Sequence, residues 1–244
     1  MTADRAVLPL IRAASADYRS AGKFAWHFAR VKLARDPVYA AILAQGLLAG
    51  RARILDLGCG QALLAAWLLA ARALYASGRE DAWPGGWPAP PQLESYLGID
   101  INPREVARAR RAFALDPGAR LSSVHGDIGD VDYGTADAVV ILDVLHYIDP
   151  IAQERVLARA RAALPPEGLL LVRVGDAGAG AGFAISKAVD RVVALMRRGR
   201  WRSLQCRPVR EWQHLLACSG FSTRIQPMSH GAPFANVLFI AHAA

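Results

Sequence analysis

The stretch RILDLGCG at residues 53–60 is the strongest indicator of fold in this sequence. Its apolar residues indicate a buried parallel strand, with Asp56 at the end of that strand. Gly58 and Gly60 allow a tight turn and the close approach of a ligand, because glycine has no Cβ. The apolar run 62–71 then indicates a helix. A strand, a glycine turn and a helix N-terminus together predict a nucleotide-cofactor site in an open α/β sheet.

Two classes of cofactor site use such a turn. A dinucleotide-binding site requires a third glycine three residues after the second, and this chain has Leu63 at that position. Asp56, directly before the glycines, would also repel a pyrophosphate, and it suits a cationic or amino-bearing cofactor instead. A nucleotide-linked oxidoreductase is therefore disfavoured, and a purely structural turn is the other alternative.

The pattern DLGCG at residues 56–60 resembles the first motif of the class I S-adenosylmethionine (SAM)-dependent methyltransferases. This resemblance implies a methyltransferase with SAM as its cofactor and S-adenosylhomocysteine (SAH) as its product. The motif residues that it places at the cofactor are Asp56, Gly58, Cys59 and Gly60.

The composition is that of one α/β domain: 244 residues, 53% of them hydrophobic and 20% charged, are enough for a sizeable core. No stretch reaches the roughly 18 uncharged apolar residues of a membrane span, and the N-terminus lacks the layout of a secretory signal. The three cysteines form no metal-type pair, so we expect reduced thiols in a cytoplasmic protein without a metal site. The formal net charge is +8, but the charge is spread along the chain without an RNA-binding module signature. We therefore expect no nucleic-acid partner.

Strands and helices alternate after residue 50, and this alternation predicts a parallel sheet. The predicted strands are 53–57, 96–99, 121–124, 138–142, 169–174, 222–228 and 236–241. The order resembles the doubly wound, seven-stranded methyltransferase sheet, a Rossmann-like α/β fold whose last strand is antiparallel. The resemblance covers residues 51–244, with residues 1–50 as an N-terminal helical cap and residues 78–93 as an irregular insertion.

Acidic residues follow the second and third predicted strands. In the methyltransferase family an acid at the end of the second strand binds both ribose hydroxyls of SAM, and Asp100 matches it. Ile101 would then pack on the adenine. The tripeptide Gly126-Asp127-Ile128 resembles the family's third motif. In that motif an Asp accepts the adenine amino group, and Ile128 would add an apolar contact or a backbone amide.

The segment after the fourth strand lies at the carboxyl edge of the sheet, where ligands bind. Its resemblance to small-molecule methyltransferases places Leu142 or Asp143 at the methionine end of SAM. His146 is the candidate general base, because an imidazole with a pKa of about 6.5 accepts a hydroxyl proton near neutral pH. The alternative is a histidine that packs against the adenosine or caps a helix.

The first candidate for the acceptor pocket is residues 18–37. There Phe24, Phe28 and Val31 recur at helical spacing, which indicates a packed helix face. The polar residues of this segment that would reach the pocket are Tyr18, His27 and Arg30.

Two loops are the other candidates. The glycine-rich loop 175–182 is typical of a mobile lid hinge, and the loop 229–236 contains His230, a rival base. Five arginines around Trp201, within residues 191–202, are typical of a solvated face. They would otherwise dock an acidic carrier protein or a membrane surface.

Three longer stretches, FAWHFARVKL (24–33), ILDVLHYI (141–148) and PFANVL (233–238), resemble a bacterial group associated with aryl-polyene and xanthomonadin-type pigment clusters. This resemblance implies an aromatic hydroxyl or ring as acceptor, carried on an acyl carrier protein, and leaves O- and C-methylation open. The alternatives are a non-catalytic SAM-binding protein and an RNA or protein methyltransferase. The latter is weakened because no N/D-P-P-Y/F tetrapeptide follows the fourth strand.

Overall fold

The strands of the chain form one mixed sheet. The computed structural model describes residues 5–79, 82–113, 121–177, 205–228 and 236–244. The strands are β1 (Arg53–Leu57), β2 (Ser95–Asp100), β3 (Leu121–His125), β4 (Ala138–Leu142), β5 (Leu169–Gly175), β6 (Phe221–Pro227) and β7 (Asn236–Ala243). Their order is β3-β2-β1-β4-β5-β7-β6. β2 is parallel to β1 and β3, whereas β7 is antiparallel to β5 and β6. The expected seven-stranded α/β sheet with an antiparallel last strand is confirmed.

The α-helices that the structure describes are α1 (Leu8–Ala16), α2 (Lys23–Arg35), α3 (Pro37–Ala44), α4 (Leu63–Ala76), α5 (Pro103–Phe113), α6 (Pro150–Ala163) and α7 (Val209–Cys218). Before α3 and α6 stands an Asp-Pro pair whose carboxylate accepts a backbone N–H of the first turn, from Val38 at 3.1 Å and from Ala152 at 2.9 Å. Such a cap satisfies one of the amides that have no partner within the helix.

The chain divides into two compact units, Met1–Asp132 with Ala136–Ala138 and Tyr133–Thr135 with Val139–Ala244. The first unit holds α1–α5 and β1–β3. In its core the indole N–H of Trp67, which is fully buried, donates to the carbonyl of Tyr39 at 2.8 Å. The second unit holds β5–β7, α6 and α7, with Trp212 and Phe239 among its fully buried side chains.

Helix α2 contradicts one expectation about the core. The predicted core residues Phe24, Phe28 and Val31 are 65%, 38% and 53% exposed. The buried face is made of Ala25, Ala29 and Leu33 instead. The small alanine side chains let α2 lie close to its neighbours, and the aromatic rings on the opposite face therefore stay outside.

Between α4 and β2 the described residues form neither helix nor strand. Trp83 packs edge-on against Trp87 with 5.8 Å between the ring centroids, and its indole N–H donates to the Trp87 carbonyl. Among the described residues no helix is long and apolar enough to cross a membrane.

Candidate cofactor site

The glycine turn is tied to the end of β2. The amides of Gly58 and Cys59 both donate to the carbonyl of Ile99, at 2.7 and 3.1 Å. Gly58 and Gly60 have φ values of +77° and +57°, which favour glycine. Because β1 and β2 are parallel neighbours, the turn after β1 lies beside the acid that ends β2.

Asp100 connects the first two motifs through its side chain. One carboxylate oxygen accepts the amide of Gly60 at 2.8 Å, and the other accepts the amide of Asn102 at 2.7 Å. A carboxylate has about four lone-pair positions, so these bonds leave roughly one on each oxygen. Two neighbouring acceptor positions suit a vicinal diol. The next residue, Ile101, is apolar and 66% exposed.

The third motif joins the same edge of the first unit. The amide of Gly126 donates to the carbonyl of Asp100 at 3.1 Å, which places the turn after β3 beside β2. Asp127 is exposed, and its carboxylate accepts the amide of Gly129 at 2.7 Å. Ile128, for which an apolar contact or a backbone amide was expected, has a buried side chain.

Gly98 on β2 is a requirement of the turn that the sequence analysis missed. A Cβ at this position would lie 2.8 Å from Sγ of Cys59 and 3.0 Å from the ring of Tyr96. Only a glycine therefore lets the turn pack against β2. An isolated glycine inside a strand is the signal that indicates such a close approach.

Asp56 is turned into the protein interior. Its carboxylate accepts the hydroxyl of Tyr96 at 2.5 Å, across 40 residues of sequence. Burial raises the pKa of Asp56 to about 7, against the opposing effect of the Tyr96 hydrogen bond and with a smaller contribution from the charge of Asp100. Burial also raises the pKa of the Cys59 thiol well above its usual range. The thiol therefore stays protonated, which fits a small packed residue rather than a nucleophile.

Two hydrogen bonds attach the N-terminal helices to the glycine turn. The hydroxyl of Tyr18 donates to the backbone carbonyl of Gln61 at 2.7 Å, and the side-chain amide of Gln61 donates to the carbonyl of Ala25 at 3.2 Å. Tyr18, expected near the acceptor, is fully buried in this role. His27 and Arg30 are exposed on α2, where each lies against Trp26.

In the second unit Asp143 forms an ion pair with Arg173 of β5. Nε of Arg173 donates to one carboxylate oxygen at 2.8 Å and its terminal nitrogen donates to the other. The Asp143 amide donates to the Arg173 carbonyl at 3.1 Å, and Asp143 adopts a φ of +60°. Strained backbone of this kind is concentrated at functional sites. Leu142, directly before it, is half-buried.

His146 is only 5% exposed, and its ring lies against that of Tyr147 with 4.2 Å between the centroids and an interplanar angle of 52°. Its backbone carbonyl accepts the amide of Gln205 at 2.9 Å. The fully buried Gln153 of α6 donates to the carbonyls of Leu145, Ile148 and Gln205. Gln153 therefore fixes the backbone on both sides of His146, a role that no local sequence pattern indicated.

Several expected features lie outside the described residues: His230, most of the two candidate loops, and the arginine cluster at 191–202. Within the residues that the structure describes, no three His, Cys, Asp or Glu side chains are grouped to hold a metal ion.

The chain is similar to known proteins in sequence and in fold. Residues 55–170 match a family model described as "Methyltransferase domain". A carboxy-S-adenosyl-L-methionine synthase from Chromohalobacter salexigens is 34% identical over 143 residues, which are 56% of this chain and 47% of that protein. The corresponding synthase from Wolinella succinogenes is 33% identical over 75 residues, or 31% of each chain. The chain thus spans about half of the first relative and about a third of the second.

Solved structures share the fold. An O-methyltransferase family protein from Burkholderia thailandensis has a TM-score of 0.64 and 20% identity, covering 93% of this chain and 62% of that one. The SAH-bound magnesium protoporphyrin IX methyltransferase from Synechocystis PCC 6803 has a TM-score of 0.60 and 18% identity, covering 99% and 100%. Residues 55–170, just under half of the chain, therefore resemble a methyltransferase domain, and the chain has the fold of these solved methyltransferase structures.

Proposed function

We propose that the chain transfers a methyl group from SAM to a small-molecule acceptor, an aromatic hydroxyl or ring. The observation that carries the proposal is the carboxylate of Asp100, whose two remaining acceptor positions fit the two adjacent hydroxyls of a ribose. The methyltransferase domain match over residues 55–170 supports the same cofactor.

The other cofactor roles follow from the same edge of the first unit. Ile101 would cover the adenine with its exposed apolar side chain, and Asp127 would accept the adenine amino group. Ile128 would offer its backbone amide, because its side chain is buried. Gly58 and Gly60 would let the cofactor approach the backbone. Asp56 would act on the cofactor indirectly, because its buried carboxylate would stabilise the glycine turn from the interior of the protein.

The remaining roles rest on the resemblance. SAM supplies a methyl group already activated by a positively charged sulfur, so the protein mainly has to align the acceptor and exclude water. The acceptor oxygen or carbon bonds to the methyl carbon as the carbon–sulfur bond breaks, and a base takes the acceptor proton. We assign Leu142 and Asp143 to the methionine end and His146 to the base, with His27 and His230 as rivals.

The acceptor itself follows from the resemblance to the pigment-cluster group. We propose an aryl group held as a thioester on an acyl carrier protein, with Arg30, His27 and Tyr18 on the acceptor side. Tyr18 would contribute by fixing the glycine turn, because its hydroxyl already donates to Gln61.

A second candidate is favoured by the sequence relatives, which are named carboxy-S-adenosyl-L-methionine synthases. In this case the chain would make carboxy-SAM instead of methylating an acceptor. Mass spectrometry of the ligand released from the purified protein separates the two candidates. SAM or SAH supports the methyltransferase, whereas carboxy-SAM supports the synthase.

Calorimetric titration with SAH, and with NADH as the control ligand, tests the cofactor. We expect binding of SAH in the micromolar range or tighter and no binding of NADH. Binding of NADH alone, or of neither ligand, would refute the proposal. Release of SAH from SAM in the presence of a panel of phenolic thioesters then tests the acceptor.

A further inference from the structure

Helix α2 presents an apolar surface that stays exposed within the part of the chain that the structure describes. The α2 ridge, as we call Phe24, Phe28 and Val31, lies on the face opposite the buried alanines. The two phenylalanine rings stack with 6.2 Å between centroids and an interplanar angle of 12°. Grouped, exposed apolar side chains of this kind indicate an interaction site.

One cation contacts the ridge directly. The guanidinium of Arg108 on α5, which also pairs with Glu105 at 2.6 Å, lies 4.7 Å from the centroid of the Phe24 ring. Arg19 and Arg30 lie over Trp26, which is on another side of α2 from the ridge. Helix α2 adds Lys23 and Arg35, both exposed, and contains no acidic residue.

The segments that carry α1, α2 and α5 are strongly basic. Residues 8–36 and 103–113 together carry ten Lys and Arg against three Asp and Glu, a net charge of +7.

We propose that the α2 ridge docks on an anionic lipid surface, with the Phe24 and Phe28 rings entering the interface and the exposed cations Lys23 and Arg35 contacting lipid phosphates. A helix with aromatic residues between basic ones is typical of such binding. A standard protein interface buries roughly 800 Å² on each partner, more than these three side chains offer. A lipid surface requires no complementary groove, and each nearby cation adds to the attraction.

Vesicle co-sedimentation of the full chain tests the proposal. The vesicles are phosphatidylcholine alone, or phosphatidylcholine with an equal part of phosphatidylglycerol. We expect partitioning at least about tenfold stronger onto the anionic vesicles, weakened by added salt. The double variants Phe24→Ala/Phe28→Ala and Lys23→Glu/Arg35→Glu should each lose about tenfold of that partitioning.

Matched controls come from α6 and α7. Ile151→Ala removes another exposed apolar residue, and Arg155→Glu/Arg210→Glu reverses two exposed charges of the second unit. Both should partition like the wild type, and thermal unfolding should show every variant folded. Equal partitioning onto the two vesicle types, or wild-type partitioning of Phe24→Ala/Phe28→Ala, would overturn the proposal. Retention on an acidic protein partner through the same residues, without vesicle binding, would overturn it as well.

Discussion

Replacement of Asp100 by Asn should weaken SAH binding by about 10- to 100-fold while the chain stays folded. The two carboxylate oxygens already accept the amides of Gly60 and Asn102, one each, at 2.8 and 2.7 Å. Asn keeps one neutral acceptor oxygen, so one ribose hydroxyl loses its acceptor and the other loses a charged partner. A hydrogen bond to a charged group contributes about 1.5–3 kcal/mol, and each 1.4 kcal/mol is tenfold in affinity.

The measurement is calorimetric titration with SAH, paired with thermal unfolding of the same samples. Thermal unfolding is needed because the substitution also removes an acceptor from one backbone amide, which lowers stability without any ligand. Asp130→Asn is the control, since it makes the same chemical change at an exposed residue of the first unit. A dissociation constant within about threefold of the wild type would refute the ribose role of Asp100.

Three further predictions concern the turn and the base. Gly98→Ala should destabilise the chain and weaken SAH binding, because the new Cβ would lie 2.8 Å from the Cys59 sulfur. In chemical denaturation, adding Cys59→Ala should restore part of the lost stability. A double variant no more stable than Gly98→Ala would contradict that contact. Asp56→Asn should flatten the pH dependence of the unfolding free energy between pH 3.8 and about 7, the ordinary and the raised pKa of Asp56. In the wild type, Asp56 of the folded chain keeps a proton that the unfolded chain releases in this window. The unfolding free energy therefore falls by up to about 4 kcal/mol as pH rises. Urea titrations measure it, and an equal pH dependence of the unfolding free energy in the two proteins would count against the buried acid. His146→Ala should lower turnover by about a hundredfold or more while SAH affinity changes little; retained turnover would shift the base to His27 or His230.

Local patterns were sufficient to predict most of the secondary structure. The bounds predicted for β1 and β4 agree with the structure, because each is a mainly apolar segment that a glycine or an acidic residue follows. The meeting of the glycine turn, Asp100 and Asp127 was also predictable. The carboxyl ends of neighbouring parallel strands lie at one edge of a sheet, so their order in the chain is enough.

Pairings across long stretches of sequence were not predictable. The Tyr96–Asp56 bond joins residues 40 apart, and the three carbonyls held by Gln153 lie 5, 8 and 52 residues away from it. A tyrosine in a strand or a glutamine in a helix has no local pattern that reveals such a partner. The raised pKa of Asp56 follows from this burial and could not be inferred from the motif, where an acid before the glycines suggested a charge directed at the cofactor.

The inverted face of α2 shows why periodicity alone did not decide which side is buried. A repeat of 3.6 residues places Phe24, Phe28 and Val31 on one side and Ala25, Ala29 and Leu33 on another, and both sets are apolar. The usual preference for burying the larger side chains selects the aromatic side, which is 38–65% exposed in the structure. Close helix packing favours small side chains at the contact, so the alanine side is the one that fits. The exposed aromatic side lowers solubility, and no packing among the described residues covers it. A binding partner would cover these side chains, which is why the vesicle experiment is directed at them.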